Sequence, residues 1–286
     1  MPHGAIRAVR RPRAPQRTLY LLVTCEHGGN RIPARYRAWF AGHGTLLASH
    51  RGYDPGALAT ARRMAAVTGG HLIATTVSRL LVELNRSPHN PRVFSALIRR
   101  APLDVRREIF ERYYVPHHRA VAAEVEAAIA RGHRVLHIGS HSFTPNLDGV
   151  ARSADIGLLY DPARALERRF AGLWLEALRA HGAGIVRRNY PYEGRNDGLP
   201  TVLRRRFAPQ DYVGLELEVN QRHPLAGGGA WLKLQDAIVA ALMEALTRFE
   251  RAAPAVTPRR VAQGSAPRSR AARPTPGFRA TTRAGH

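Results

Sequence analysis

The chain has 286 residues and a mass of 31.6 kDa. That suits one large α/β domain or two small ones and excludes mini-protein and collagen-like classes. A single cysteine, Cys25, excludes an internal disulfide framework and any Cys-rich zinc module, and 44 Lys+Arg against 21 Asp+Glu give a formal charge of +23.

That charge would point to nucleic acid if it were spread over a binding face. Instead Lys233 is the only lysine, and arginine is enriched together with alanine, as a GC-rich coding sequence produces. The charge also gathers at the ends: Arg7, Arg10, Arg11, Arg13 and Arg17 stand without an acid in residues 1–17, and residues 251–286 carry eight Arg and no acid. Nucleic acid is therefore not expected as the main partner. Residues 1–17 read as a disordered basic arm and 252–286 as a disordered Arg/Pro/Ala-rich tail, because neither holds enough large apolar residues to offset the entropy of ordering. The folded body is expected over 18–251. No apolar run of about 18 residues and no secretory h-region are present, so a soluble cytoplasmic protein is expected.

Within the body, strand-like and helix-like segments alternate. Thr18–Cys25 reads as a buried strand, Gly56–Val67 as a helix, and His71–Thr76 and Leu80–Leu84 as strands. Leu103–Arg131 is helical with a break or kink at Pro116, and Arg134–Gly139 and Ile156–Tyr160 are strands. Ala163–Ala180 is a helix, Gly184–Arg187 a short strand, Tyr212–Val219 a strand and Ala230–Glu250 a helix. The alternation predicts a central sheet covered by helices on both faces, with functional residues in the loops at the carboxyl ends of strands.

Polar residues cluster at those places. Cys25-Glu26-His27-Gly28-Gly29-Asn30 follows the first strand, where a histidine and an acid in a glycine-bearing loop can approach a metal or a substrate. Asp54-Pro55-Gly56 has the pattern of a helix N-cap. Asn85 and Arg86 close the apolar run begun at Arg79, and a planar guanidinium at a strand end suits a carboxylate. In His137-Ile138-Gly139-Ser140-His141 the two histidines share a face; His141 should emerge at the strand end and His137 should lie deeper, as a satisfied core residue. Arg152–Gly157 and Asn189–Gly194 are turn-forming and fit the rim of a pocket. Glu216 and Glu218 share one face of a buried strand, opposite Leu215, Leu217 and Val219. Buried acids are costly unless paired or ligand-bound, so this is the sharpest functional signal in the chain. Neither a GxxxxGK[ST] loop nor a GxSxG elbow is present, and Cys25 beside His27 leaves a thiol nucleophile as a minor alternative.

Taken in order, CEHGGNRIP, HRGYDPGA, VSRLLVELNRSP, GSHSFTP, ARSADIGLLYDP, NYPYEGRNDG and LELEVNQR, from about Leu21 to Arg222, resemble the N-formylglutamate amidohydrolase family, in a divergent branch marked by CEHGGN. The resemblance implies a three-layer αβα fold with a mixed central sheet, of the zinc-exopeptidase (phosphorylase/hydrolase-like) type shared with zinc carboxypeptidases and aspartoacylases. It implies zinc as cofactor, His27 and His141 as metal ligands, Asn85 and Arg86 as the carboxylate-binding pair, and Glu218 as general base with Glu216 the alternative. Asn30 stands where the family's motif carries glutamate, so Asp54, or else Glu26, would supply the third ligand. Arg79 is assigned to substrate binding and Arg152 to catalytic support of the developing oxyanion. The implied reaction releases formate, or another acid, from a small anionic N-formyl or N-acyl amino acid such as N-formylglutamate. A related deacylase or peptidase, and a non-catalytic binder using its basic tails, are the alternatives.

Overall fold

The computed structural model describes residues 17–251. The tail expected over 252–286 and all of the basic arm except Arg17 lie outside the described residues.

The first half of the chain builds β1 (Leu19–Cys25), a 3-10 turn (Ala34–Phe40), α1 (Gly44–Ala48), α2 (Ala57–Thr68), β2 (His71–Ala74), α3 (Ala96–Arg99), α4 (Leu103–Ile109) and α5 (Val115–Ala130). The second half builds β3 (Arg134–Phe143), β4 (Asn146–Leu147), β5 (Val150–Ala151), β6 (Ile156–Leu159), α6 (Ala165–Ala180), β7 (Val186–Arg188), α7 (Leu199–Arg206), β8 (Tyr212–Asn220), α8 (Arg222–Ala226) and α9 (Gly228–Arg251). Six strands form one mixed sheet in the order β2-β1-β3-β8-β6-β7, and β4 and β5 form a separate hairpin. Neighbouring strands run parallel except β6 beside β8, which is antiparallel.

The apolar alternation of the strands decides the layers. Val23 and Cys25 of β1, Leu136 and Ile138 of β3, and Val213, Leu215, Leu217 and Val219 of β8 pack with α2, α6 and α9. Leu22, Val135 and Tyr212, on the opposite face, pack with α5 and α7. The sheet is thus covered on both sides, which explains why all ten residues of β3 are buried. The expected αβα architecture with a mixed central sheet is the architecture observed. Among the described residues no helix is long and apolar enough to cross a membrane.

Three local expectations fail for identifiable reasons. Leu80–Leu84 is not a strand. Ser78 closes a turn there, with Leu81 N donating to Ser78 O and Leu80 N to Ser78 Oγ, and Leu80, Leu81, Val82 and Leu84 bury in a satellite core with Tyr36, Phe40 and Ile98. A short apolar run bounded by polar residues does not distinguish a strand from a buried turn. Asp54 is also not a side-chain cap. Gly56, with φ +80°, holds the N-cap position of α2 without a side-chain bond, which leaves the Asp54 carboxylate free for other partners. Around Pro116 the helix does not break. α4, a single π-helical turn at Phe110–Tyr114 and α5 run on continuously, and the π turn falls where Pro116, lacking an N–H, would interrupt the regular ladder.

Candidate active site

The parallel strands β1, β3 and β8 carry their polar residues to the same end of the sheet. Register pairs His141 with Glu218 and Gly139 with Glu216 across β3 and β8. A Cβ at Gly139 would lie 3.3 Å from both the Glu216 side chain and His141 Nε2, so a larger residue would crowd both. His27 follows β1 immediately. Asp54 reaches in from the loop before α2, tied to the β1 end by Asp54 N donating to His27 O at 2.9 Å.

These residues converge on one point. His27 Nδ1 lies 3.1 Å and His141 Nδ1 3.0 Å from the same Asp54 oxygen, Oδ2. All three side chains are almost completely buried, and their ligating atoms fall within 4.8 Å of one another. On the far side of each ring a second carboxylate waits. His27 Nε2 meets Glu83 Oε1 at 2.5 Å, and His141 Nε2 meets Glu26 Oε2 at 3.2 Å. An imidazole whose Nε2–H is held by a carboxylate presents Nδ1 to a metal, and such outer carboxylates fix ring orientation and raise ligand basicity. Two nitrogens and one carboxylate oxygen are a donor set suited to zinc with a position left open.

The surroundings are strongly acidic. Burial alone would raise the Asp54 and Glu83 carboxyls, but His27 and Arg79 hold both well below the usual carboxylate range, helped at Asp54 by His141. Burial is likewise outweighed at Glu26, where His117 and His141 keep the carboxyl low. At His141, whose charge burial disfavours, hydrogen bonds to Asp54 and Glu26 raise the imidazole well above its ordinary value. Glu218 goes the other way: burial, reinforced by the negative charges of Asp54 and Glu216, pushes it up to about 8. Its Oε2 is buried without a hydrogen-bond partner among the described residues. An orphaned carboxylate oxygen beside a cluster of further carboxylates is a site short of positive charge.

The remaining sequence-singled residues divide between this cluster and its margin. Arg79 belongs to the cluster, but its guanidinium is engaged by Asp54 Oδ1 at 3.1 Å and by Glu83 Oε2 at 2.7 Å. Asn85 Nδ2 donates to Glu216 Oε1 at 2.7 Å, and its Oδ1 accepts from Leu199 N at 2.6 Å, so its amide fixes the glutamate and α7. Arg86 Nη1 donates to the carbonyls of Asn85 and Asp197, both at 2.8 Å. Its other nitrogens have no acceptor among the described residues. Arg152 stands apart, outside the cluster, with its guanidinium over the Tyr192 ring and Nη1 donating to the Tyr192 hydroxyl at 3.2 Å. Asn30 is exposed and turned away, donating to Leu47 O at 3.2 Å. Cys25 is fully buried in the core of the opposite face, and burial pushes its thiol up, which removes it as a nucleophile.

Above the cluster opens a cleft of about 300 Å3. Tyr192 and Glu193 from the Asn189–Gly194 segment line it, together with Arg86 and Arg92. The segment can lie this close to the sheet because Gly157 has no side chain: a Cβ there would meet Tyr190 O at 1.7 Å. Glu83, Arg92 and Asp197 were not singled out from sequence, although Glu83 is an acid inside an apolar run, the same signal that marked Glu216 and Glu218.

The loop carrying Asn85 and Arg86 is held from α5 and the turn before it. Tyr114 OH donates to Arg86 O, and His118 Nε2 donates to Leu84 O, both at 2.8 Å. Phe110, Tyr114 and His118 stack successively, with ring centroids 4.3 and 4.0 Å apart. Backbone oxygens on either side of Asn85 are thereby clamped to one rigid helix face.

A family profile described as N-formylglutamate amidohydrolase matches residues 19–223. A solved gene product from Agrobacterium tumefaciens is similar, with a TM-score of 0.70 and 28% identity over 80% of this chain and 91% of that one. An N-formylglutamate amidohydrolase from Ralstonia eutropha JMP134 has a TM-score of 0.63 and 20% identity over 82% of this chain and 95% of that one, which supports the fold. No curated protein matches the chain.

Proposed function

The chain belongs to the N-formylglutamate amidohydrolase family, hydrolases of amide bonds, and from that premise we propose that it cleaves N-formyl or N-acyl amino acids, N-formylglutamate among them, at a zinc ion held by His27 Nδ1, His141 Nδ1 and Asp54. The observation that carries this reading is the convergence of two carboxylate-backed Nδ1 atoms on one Asp54 oxygen. Asp54, rather than Glu26, supplies the third ligand, since Glu26 is occupied with His141 Nε2 and His117. Zinc so placed supplies a Lewis acid for the amide carbonyl and lowers the pKa of water to about 7.

The chain's own residues do the rest. Glu218, which lines the same cleft as the cluster and whose Oε2 has no partner among the described residues, takes a proton from the attacking water and returns it to the departing amine. Its raised proton affinity suits the second half of that task, and positive charge gathered at Asp54 brings it down for the first. Glu216, held by Asn85, lies beside His141. Arg86, with its unused nitrogens, binds the substrate carboxylate as a fork, while Asn85 sets the position of that loop. Arg79 orients Asp54 and Glu83. Arg152 acts at one remove, through the Tyr192 hydroxyl at the cleft wall.

The test is release of formate from N-formylglutamate by protein stripped with a chelator and then reloaded with zinc. Turnover that is lost on stripping and restored by zinc is the expected result. Undiminished turnover in the stripped protein contradicts the metal, and no turnover of any N-acyl amino acid contradicts the reaction.

A further inference from the structure

A second cleft adjoins the first. Its volume is about 720 Å3, and Arg79 and Arg92 line both. The loop after α1 contributes His50 and Arg51, α3 contributes Arg99, and the hairpin of β4 and β5 contributes Asn146, Leu147 and Asp148.

Its charge is unbalanced. Arg51, Arg92 and Arg99 make no ion pair among the described residues, whereas Arg79 is already paired with Asp54 and Glu83. Of the acids lining it, Glu83 is consumed by Arg79 and His27, which leaves only Asp148 at the hairpin tip. His50 reports the resulting field: burial, then the charges of Arg51, Arg79 and Arg152, disfavour its protonation. Leu80 and Phe94 add an apolar wall. An apolar wall beside several unpaired guanidinium groups fits a short hydrocarbon chain that ends in a carboxylate.

Size separates the two clefts as well. With the amino-acid half of the substrate at Arg86, the acyl half is left to run past Arg79 and Arg92. A formyl group, with its single carbon, does not reach a further 720 Å3.

Building on the amide hydrolysis above, we propose that this second cleft binds the acyl half of the substrate and that the preferred acyl group ends in a carboxylate held by Arg51, Arg92 and Arg99. The substrate class is then an amino acid N-acylated by a dicarboxylic acid or by an acidic residue.

The test compares N-formyl-, N-pentanoyl- and N-glutaryl-glutamate on the zinc-loaded full chain and on the double variant Arg51→Ala/Arg99→Ala. In the parent protein the glutaryl compound should exceed the pentanoyl one in kcat/KM by about tenfold, the scale of two or three exposed ion pairs. In the variant that preference should vanish, while kcat/KM for the N-formyl compound stays within about twofold, showing that the variant is folded and loaded. Restoring charge with Arg51→Lys/Arg99→Lys should return most of the preference. Equal rates for glutaryl and pentanoyl compounds, or a preference that survives the alanine variant, overturns the proposal. Cleavage of the N-formyl compound alone also overturns it while leaving the amidohydrolase reading intact. Cleavage of none of the three overturns both.

Discussion

His137 and His141 lie on the same face of β3, both buried, yet their chemistry is opposite. His137 is flanked by hydroxyls, Thr24 Oγ1 at 2.8 Å and Tyr212 OH at 2.7 Å, and burial pushes its imidazole down to about 4. His141 is flanked by Asp54 and Glu26, and despite equal burial its imidazole is raised well above the ordinary value. Burial is common to both, so it does not make the site. The carboxylates do. Hydroxyl partners satisfy a neutral ring and leave it structural, whereas carboxylates on both nitrogens create demand for a cation, which a proton or a metal can meet.

The sharpest way to break this contrast is to delete each histidine. His141→Ala should abolish zinc binding and reduce turnover by about 10^4-fold or more, the scale of losing the catalytic metal. His137→Ala should leave zinc stoichiometry unchanged and show its effect in thermal stability. Glu218→Gln separates chemistry from ligation: metal content should stay at the parent level while kcat falls by about 10^2 to 10^4-fold. Parent-level kcat in that variant would remove Glu218 as the base. Glu83→Gln tests the outer carboxylates and should weaken zinc affinity by about 10- to 100-fold in competition with a chelator. Tyr114→Phe removes one clamp on the Arg86 carbonyl. A net hydrogen bond of about 1 kcal/mol predicts a KM increase of about fivefold with kcat and metal content unchanged.

The pH dependence has a definite sign. Without metal, Glu218 titrates near 8 and His141 above its usual range, so both hold protons at neutral pH. A cation bound at Asp54 competes with those protons, and binding releases them. Zinc affinity should therefore fall as pH drops from about 8 toward 6. An affinity that is flat over this window would contradict the assignment.

Much of this was legible before the structure. Period-two alternation placed Glu216 and Glu218 together on the face opposite Leu215 and Leu217, and it put His141 at the strand end with His137 beneath. The covering of the sheet by helices on both faces followed from the alternation of strand-like and helix-like segments. What alternation does not encode is which loop folds over the sheet end. The Asp54 pattern, read locally, is a helix cap; Gly56 takes the N-cap position instead, and the carboxylate turns inward. Glu83 carries the same signal as Glu216 and Glu218, an acid within an apolar run, but Leu80–Leu84 reads from sequence as a strand. As a turn, that segment swings Glu83 onto His27. Arg152 illustrates the reverse case: its segment was expected at the rim, but residues 152–157 do not line the cleft, and the Arg152 side chain stacks on Tyr192 outside the cluster.

The most direct measurement is calorimetric titration of zinc into metal-free parent protein, His137→Ala and His141→Ala, each in two buffers of different ionisation enthalpy. The account predicts about one zinc per chain in the first two, with proton release, and none in the third. Zinc binding that survives His141→Ala, or is lost in a folded His137→Ala, would contradict it.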